Sequence, residues 1–360
     1  MKFTVVVTII DINEQTFSLL DNISSQSIDD FEVILCIPNI FIEKNIDKLK
    51  NYVKNLRNIT FIELEDDNIN YGRNQAILNS NSEYIIFINS NENIKKLNFL
   101  ELMYNKMKKN NLEILTYDFT YIEKYEKDTS EIDDIKQKEI NNSRKRLLEE
   151  KVYKGSEFYN KLIKKELFFD YLFTYSYKTD FLKDNNLIFD ERLGNNTLLF
   201  IMKSLILCEN LEYIAQHLMQ EHRYNCILTN YNFLKYNWVG YIFNTIDELL
   251  KIISKYECID IKICIINQII TLLSSVLDRV KENKQYDYID KIFEYLKNIK
   301  LLLDEEENHT EIEIKIDMII DAFQTYERYK SDNVKHRGKN IYNDIYIIQE
   351  VINNINNSDD

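Results

Sequence analysis

Residues 68–93 read NINYGRNQAILNSNSEYIIFINSNEN, and this stretch decides the fold. Its first half, near Arg73 to Leu78, has the spacing of a short helix. Its second half, Tyr84 to Ile88, is an unbroken apolar run that ends abruptly in Asn89, Ser90 and Asn91. A run of strand length without polar alternation predicts a strand buried on both faces, which is the pattern of a mainly parallel sheet covered by helices. Ligands of such sheets gather at the C-terminal ends of the strands, so the Asn89 to Asn91 loop is the place to look for chemistry.

The same alternation extends outward in both directions. Upstream lie an apolar run (Val5 to Ile10), a helical pattern, a second run (Phe31 to Ile37), a helix with Ile42, Ile46, Leu49, Val53 and Leu56 on one face, and a third run (Ile59 to Leu64). The order is βαβαβαβ, an α/β arrangement. Downstream, Leu100, Met103, Tyr104 and Met107 mark a helix from Leu97 to Lys109, followed by a strand from Leu112 to Phe119. Tyr121 to Glu150 is dominated by charge and reads as a solvated, partly helical insertion. Order returns near Gly155, with a helix from Thr197 to Cys208 and a short strand from Leu211 to Ala215.

After Asn230 no strand pattern remains, so a domain of residues 1–230 is expected to precede an all-α domain of residues 231–360. Amphipathic stripes run through Ile246, Leu249, Leu250 and Ile253, then Ile266 to Val280, then Ile289 to Ile299. Thr310 and Glu313 give a capping-box signal for a fourth helix. The tail NNINNSDD reads as disordered.

Composition excludes several functions. A net charge of −14 with pI near 5.0 repels phosphate backbones, which argues against nucleic acid. The N-terminal MKFTVVVTII is too short for a membrane span and lacks a signal-peptide cleavage site. The five cysteines, at 36, 208, 226, 258 and 264, show no metal spacing and read as reduced thiols of a cytoplasmic protein.

Five segments together resemble the family-2 glycosyltransferases of the GT-A fold: VVVTIIDINEQ, SQSIDDFEVILCIPN, the stretch quoted above, FLKDNNLIFDERLGNNTLLFIMKSLI and HRYNCILTN. The resemblance spans about residues 3 to 230 and implies a nucleotide-sugar site. It also implies acidic residues that this chain lacks. Where the family places a base-binding aspartate stands Pro38, the only proline, with no carboxylate and no N–H. The family's Asp-x-Asp, which holds Mg²⁺ or Mn²⁺ on the diphosphate, is replaced by Asn89, Ser90 and Asn91. An amide oxygen ligates such hard cations without cancelling their charge. The general-base aspartate is replaced by Asn196, which cannot accept a proton; before an apolar helix, Asn196 also reads as an N-cap.

Asn13, Arg73 with Asn74, Asp190, Glu191 and Arg223 keep the family pattern, and Arg73 and Arg223 suit a diphosphate. The nucleotide-sugar-binding residues implied are thus Asn13, Pro38, Arg73, Asn89, Asn91 and Arg223, with no metal held. Glu92 can supply one carboxylate but reads more simply as a surface loop residue. His217 and His222, read as loop residues, are candidates to replace a lost base.

Three functions are compatible with these residues. The one taken here is a glycosyltransferase-like protein whose transfer chemistry is lost and which acts by binding a nucleotide-sugar or a partner. The alternative is an active transferase with an atypical or metal-independent site. A third makes the C-terminal helices the functional part, as a homo-oligomer interface or a platform for a partner glycosyltransferase.

Overall fold

The computed structural model of the chain describes residues 1–54, 58–64, 68–123, 130–163, 165, 167–168, 170–193, 197–223, 238–255, 259–283 and 288–304. Asn196, the segment after Arg223, the Thr310 helix and the C-terminal tail lie outside the described residues. The chain divides into two compact units, Met1–Tyr241 and Ile242–Asp360.

Among the described residues the first unit is built on one sheet of eight strands. In chain order these are β1 (Phe3–Thr8), β2 (Phe31–Pro38), β3 (Ile59–Leu64), β4 (Tyr84–Asn89), β5 (Glu92–Ile94), β6 (Ile114–Glu123), β7 (Tyr175–Lys178) and β8 (Leu211–Arg223), arranged 3-2-1-4-7-6-8-5 across the sheet. β3, β2, β1 and β4 are parallel, β7 runs against β4 and β6, β8 is parallel to β6, and β5 pairs antiparallel at the far edge. Every residue of β1 is buried, as the unbroken apolar run requires of a strand covered on both faces.

Phe3, Val5 and Val7 of β1, with Val33, Leu35 and Ile37 of β2 and Ile86 and Ile88 of β4, share one core with Leu19, Leu20 and Ile23 of α1 (Glu14–Ser24). Leu49 and Val53 of α2 (Asn39–Val53) and Leu100, Met103 and Met107 of α4 (Phe99–Lys109) belong to the same core. The opposite face carries an aromatic set in which Phe87 meets Tyr177, Phe189 and Phe200 edge-on, while Phe189 and Phe200 stack with ring centroids 3.8 Å apart. Here α3 (Ile69–Asn79) lies unusually close to the sheet. A Cβ added at Gly72 would stand 2.8 Å from a Leu64 methyl and 3.1 Å from Cys36 Sγ, so only glycine lets the helix in this far.

Two stretches differ from what the sequence suggested. β8 extends through Arg223, which places both His217 and His222 in a strand rather than a loop. The charged stretch expected to be a solvated, partly helical insertion does carry a helix, α5 (Ser130–Leu147), but its residues Gln137, Asn141 and Arg144, at helical spacing, are buried rather than solvated. Asn141 Nδ2 donates to the Phe119 carbonyl at 2.8 Å, beside an irregularity in the β6–β8 register that disturbs the ladder. Arg144 Nε lies 3.8 Å from Asp118 Oδ1 and the guanidinium stands over the Tyr213 ring, whose hydroxyl donates to the same carboxylate. This buried face is polar, so hydropathy could not find it.

The described part of the second unit comprises helices, with Ile246, Leu249 and Ile253 buried on Trp238–Ile253, Ile266, Ile269, Ile270, Leu273 and Val276 on Ile259–Asn283, and Ile292, Leu296 and Ile299 on Ile289–Asp304. Tyr295 Oη donates to Asp247 Oδ1 at 2.7 Å, joining the first of these helices to the last. No helix among the described residues is long and apolar enough to cross a membrane.

Removing one member of a buried ion pair leaves the other charge uncompensated, at a cost of about 3–5 kcal/mol. Arg144→Ala should therefore destabilise the first unit by roughly that amount in urea unfolding, with Asp118 left behind. A change within about 0.5 kcal/mol, as for a solvated surface helix, would contradict the burial of this face.

Candidate nucleotide-sugar site

The C-terminal ends of β1, β2 and β4 meet at one edge, where Thr8 pairs with Cys36 and with Asn89. The loops leaving that edge are tied together by Ser90, which is wholly buried. Its backbone N–H donates to the Thr8 carbonyl at 2.9 Å, and its hydroxyl accepts from Ile10 N at 3.0 Å and donates to the Asp11 carbonyl at 3.1 Å. The small middle residue of the loop after β4 is thus the rivet between two loops.

Asn89 is held at the same edge by Arg73 and Glu92. Its Oδ1 accepts from Arg73 Nη2 at 3.0 Å, its Nδ2 donates to Glu92 Oε1 at 2.6 Å, and its backbone N–H donates to Glu92 Oε2 at 2.7 Å. Glu92 is 4% exposed, so the expectation of a surface glutamate is corrected. The carboxylate folds back because β5 places it in the sheet, directly opposite Glu221 of β8. Burial raises the Glu92 pKa above the usual carboxylate range, the two donations from Asn89 and the nearby Arg73 oppose that rise, and Glu221 adds to it.

Arg73 projects from α3 and is 1% exposed. It donates to Asn70 Oδ1 at 3.1 Å as well as to Asn89, and lies 5.4 Å from the centre of the Phe189 ring. Burial lowers its pKa to about 10, against the pull of Glu92 and Cys36. The same burial pushes the Cys36 thiol up to about 12, with Arg73 opposing. In this conformation the guanidinium faces its own loop rather than an external phosphate.

The other implied positions are distributed as follows. Asn13 is the N-cap of α1: its Oδ1 accepts from Gln15 N at 2.9 Å and Thr16 N at 3.3 Å, completing a capping box with Thr16. Pro38 closes β2 and precedes α2, buried at the same edge. Asn91 accepts from His222 N through its carbonyl at 2.8 Å, while its Oδ1 is buried without a protein partner. Arg223 is the last residue of β8, its backbone in register with Glu123. The N-cap of the helix Leu198–Leu207 is Thr197, and Asn196 lies outside the described residues. The structure therefore brings Pro38, Arg73 and Asn89 to one edge, with Asn91 on the loop between β4 and β5, where it meets His222 of β8.

The residues do not fit the divalent metal that the resemblance implies. Asn89 Oδ1 already faces a guanidinium, both oxygens of Glu92 are turned to Asn89, and Asn91 offers only a neutral amide. No group of three acidic, histidine or cysteine side chains able to hold a metal occurs among the described residues. Hard cations take charged oxygens, and here the local charge is balanced internally by Arg73.

Sequence reasoning missed the role of Glu92 and of the asparagines on α3. The available signal was the polarity of INYGRNQ within a helix that must pack on a sheet. Asn89→Asp would set a carboxylate against Glu92 where a donor now stands. Like charges at that range raise one pKa strongly, so the pair is stable with a shared proton and strained when both ionise. The substitution should lower stability by about 1–3 kcal/mol at neutral pH, with the deficit shrinking as pH falls, read by urea unfolding across pH. Equal stability at neutral pH would contradict the donation to Glu92.

No curated protein matches the chain. Residues 17–172 match the family described as glycosyl transferase family 2. Among solved structures, that of S. aureus TarS 1-349 in complex with UDP-GlcNAc is similar with a TM-score of 0.63 at 14% identity, covering 98% of this chain and 91% of that one. The UDP complex of the same protein gives 0.57 at 15% identity, with the same coverage. Residues 17–172 are thus similar to the family-2 glycosyltransferases, on a fold like that of the TarS structures.

Proposed function

We propose that the chain binds a nucleotide-sugar at the β1, β2 and β4 edge without a divalent metal, and that its transfer chemistry is lost or much reduced. The observation that carries this is the engagement of Asn89 between Arg73 and Glu92, which leaves no charged oxygen facing outward at the metal position. Binding is supported by the family segment and by the UDP-GlcNAc and UDP carried by the similar TarS structures. It is supported too by Asn91 Oδ1: a buried acceptor without a partner costs free energy until a donor, such as a sugar hydroxyl, reaches it.

Loss of transfer follows from the chemistry of the groups present. An amide at position 196 cannot take the acceptor's proton, and a positioned base contributes about 10²–10⁴ in rate. With no Lewis acid held at Asn89 and Asn91, the charge on a departing diphosphate must be met by backbone N–H groups and by arginine, Arg223 being the one at the end of β8. The protein then works as a binder of nucleotide-sugar in the cytoplasm.

Calorimetric titration of UDP-GlcNAc and GDP-mannose in EDTA, repeated with Mn²⁺, tests this. Saturable binding of one nucleotide-sugar, unchanged within about twofold by Mn²⁺, with no sugar released on long incubation with candidate acceptors, is the expected result. Absence of binding under both conditions would remove the nucleotide-sugar function, and Mn²⁺-dependent turnover would restore an ordinary enzyme.

A further inference from the structure

We propose that Asn74 is a positioning residue, acting with Arg73 to tie the loop after β4 to the segment that leads into position 196. The proposal rests on the nucleotide-sugar site above and adds how its two loops are kept in register.

The geometry is a chain of contacts through one helix. Asn74, 4% exposed, brackets a single residue of the facing segment: its Nδ2 donates to the Phe189 carbonyl at 2.9 Å and its Oδ1 accepts from the Phe189 N–H at 2.8 Å. The same Nδ2 lies 3.0 Å from Glu191 Oε1. One helical turn earlier, Asn70 Nδ2 donates to the Asp190 carbonyl at 3.0 Å, and Asn68 Nδ2, at the N-cap, donates to the Glu191 carbonyl at 3.2 Å. Successive carbonyls of residues 189–191 are therefore each met by an asparagine of α3 or its cap.

Packing alone does not require this. A helix lying on an aromatic cluster is satisfied by leucine or isoleucine, whereas a buried amide is costly unless each of its groups is bonded. An amide that engages both the N–H and the C=O of one residue fixes the height and phase of the chain there, as a neighbouring strand would. The chain so fixed continues through Glu191–Leu193 towards position 196.

Arg73 links this clamp to the other loop. Its guanidinium bonds Asn89 on one side and stands over the Phe189 ring on the other. Gly72 holds the helix close enough to the sheet for both contacts to form at once. Displacing Asn89 therefore loosens the arginine, the ring beneath it and the residue that Asn74 brackets. A ligand that settles the loop after β4 settles the segment before Leu198 by the same route.

The test uses site-resolved amide hydrogen exchange on the full chain without nucleotide, comparing the unmodified protein with Asn89→Ala and Asn74→Ala. Asn89 has no bond to residues 189–191, so a purely local role leaves the Phe189 amide unmoved in Asn89→Ala. The expected result is a rise of at least fivefold in exchange at Phe189 and its neighbours in Asn89→Ala, reaching the level of Asn74→Ala, with amides of β1 and β2 unchanged. Unchanged exchange at Phe189 in Asn89→Ala, while Asn74→Ala raises it, would overturn the coupling. Should Asn74→Ala fail to fold, Asn89→Ala alone decides between these outcomes. Because no nucleotide is present, failure of UDP-GlcNAc to bind would count against the proposed function and leave this result readable.

Discussion

The bond pair that holds Asn89 between the Arg73 guanidinium and the Glu92 carboxylate is the constraint around which the site is arranged. A cation and an anion buried near one another are tolerated only when each is hydrogen-bonded and their charges offset. An amide suits the position between them because it accepts on one side and donates on the other. An aspartate at the same place would satisfy the arginine and repel the glutamate. The asparagine that the resemblance sets at the family's first metal-acid position is thus matched by its surroundings.

That constraint depends on the fold at several points. β4 must end at Asn89 on the face shared with α3, α3 must approach closely enough for Arg73 to reach it, and β5 must leave for the far edge of the sheet so that Glu92 can turn back. Ser90 between them fixes the loop to the end of β1. The order of strands, the glycine and the loop serine are each explained by the same local requirement.

Much of this was legible in the sequence, because burial on both faces leaves continuous apolar runs at β1, β2 and β4 whose meaning does not depend on context. The strand ends that carry the Asn89 to Asn91 loop followed from the α/β alternation, whereas Pro38 and Arg73 were singled out only by the family resemblance. Residues whose buried partners are polar were not legible. Gln137, Asn141 and Arg144 pack a polar stripe of α5 onto the sheet, and a run rich in charge reads as solvated whichever way it faces. Glu92 was misread for the same reason: nothing in NSNENI tells that β5 carries the carboxylate into the sheet. Asn13 kept the family pattern, yet its side chain caps α1, a local role that motif matching cannot separate from ligand contact.

If the internal charge balance at Asn89 governs the site, the unmodified protein should not take up Mn²⁺ even with the nucleotide present. Mn²⁺ paramagnetic resonance, following the free-ion signal as protein is added to a fixed mixture of Mn²⁺ and UDP, measures this directly. The predicted result is a signal set by UDP alone, unchanged by protein. A stoichiometric loss of free-ion signal on adding protein would show a metal held at the site and contradict the engagement of Asn89 by Arg73 and Glu92.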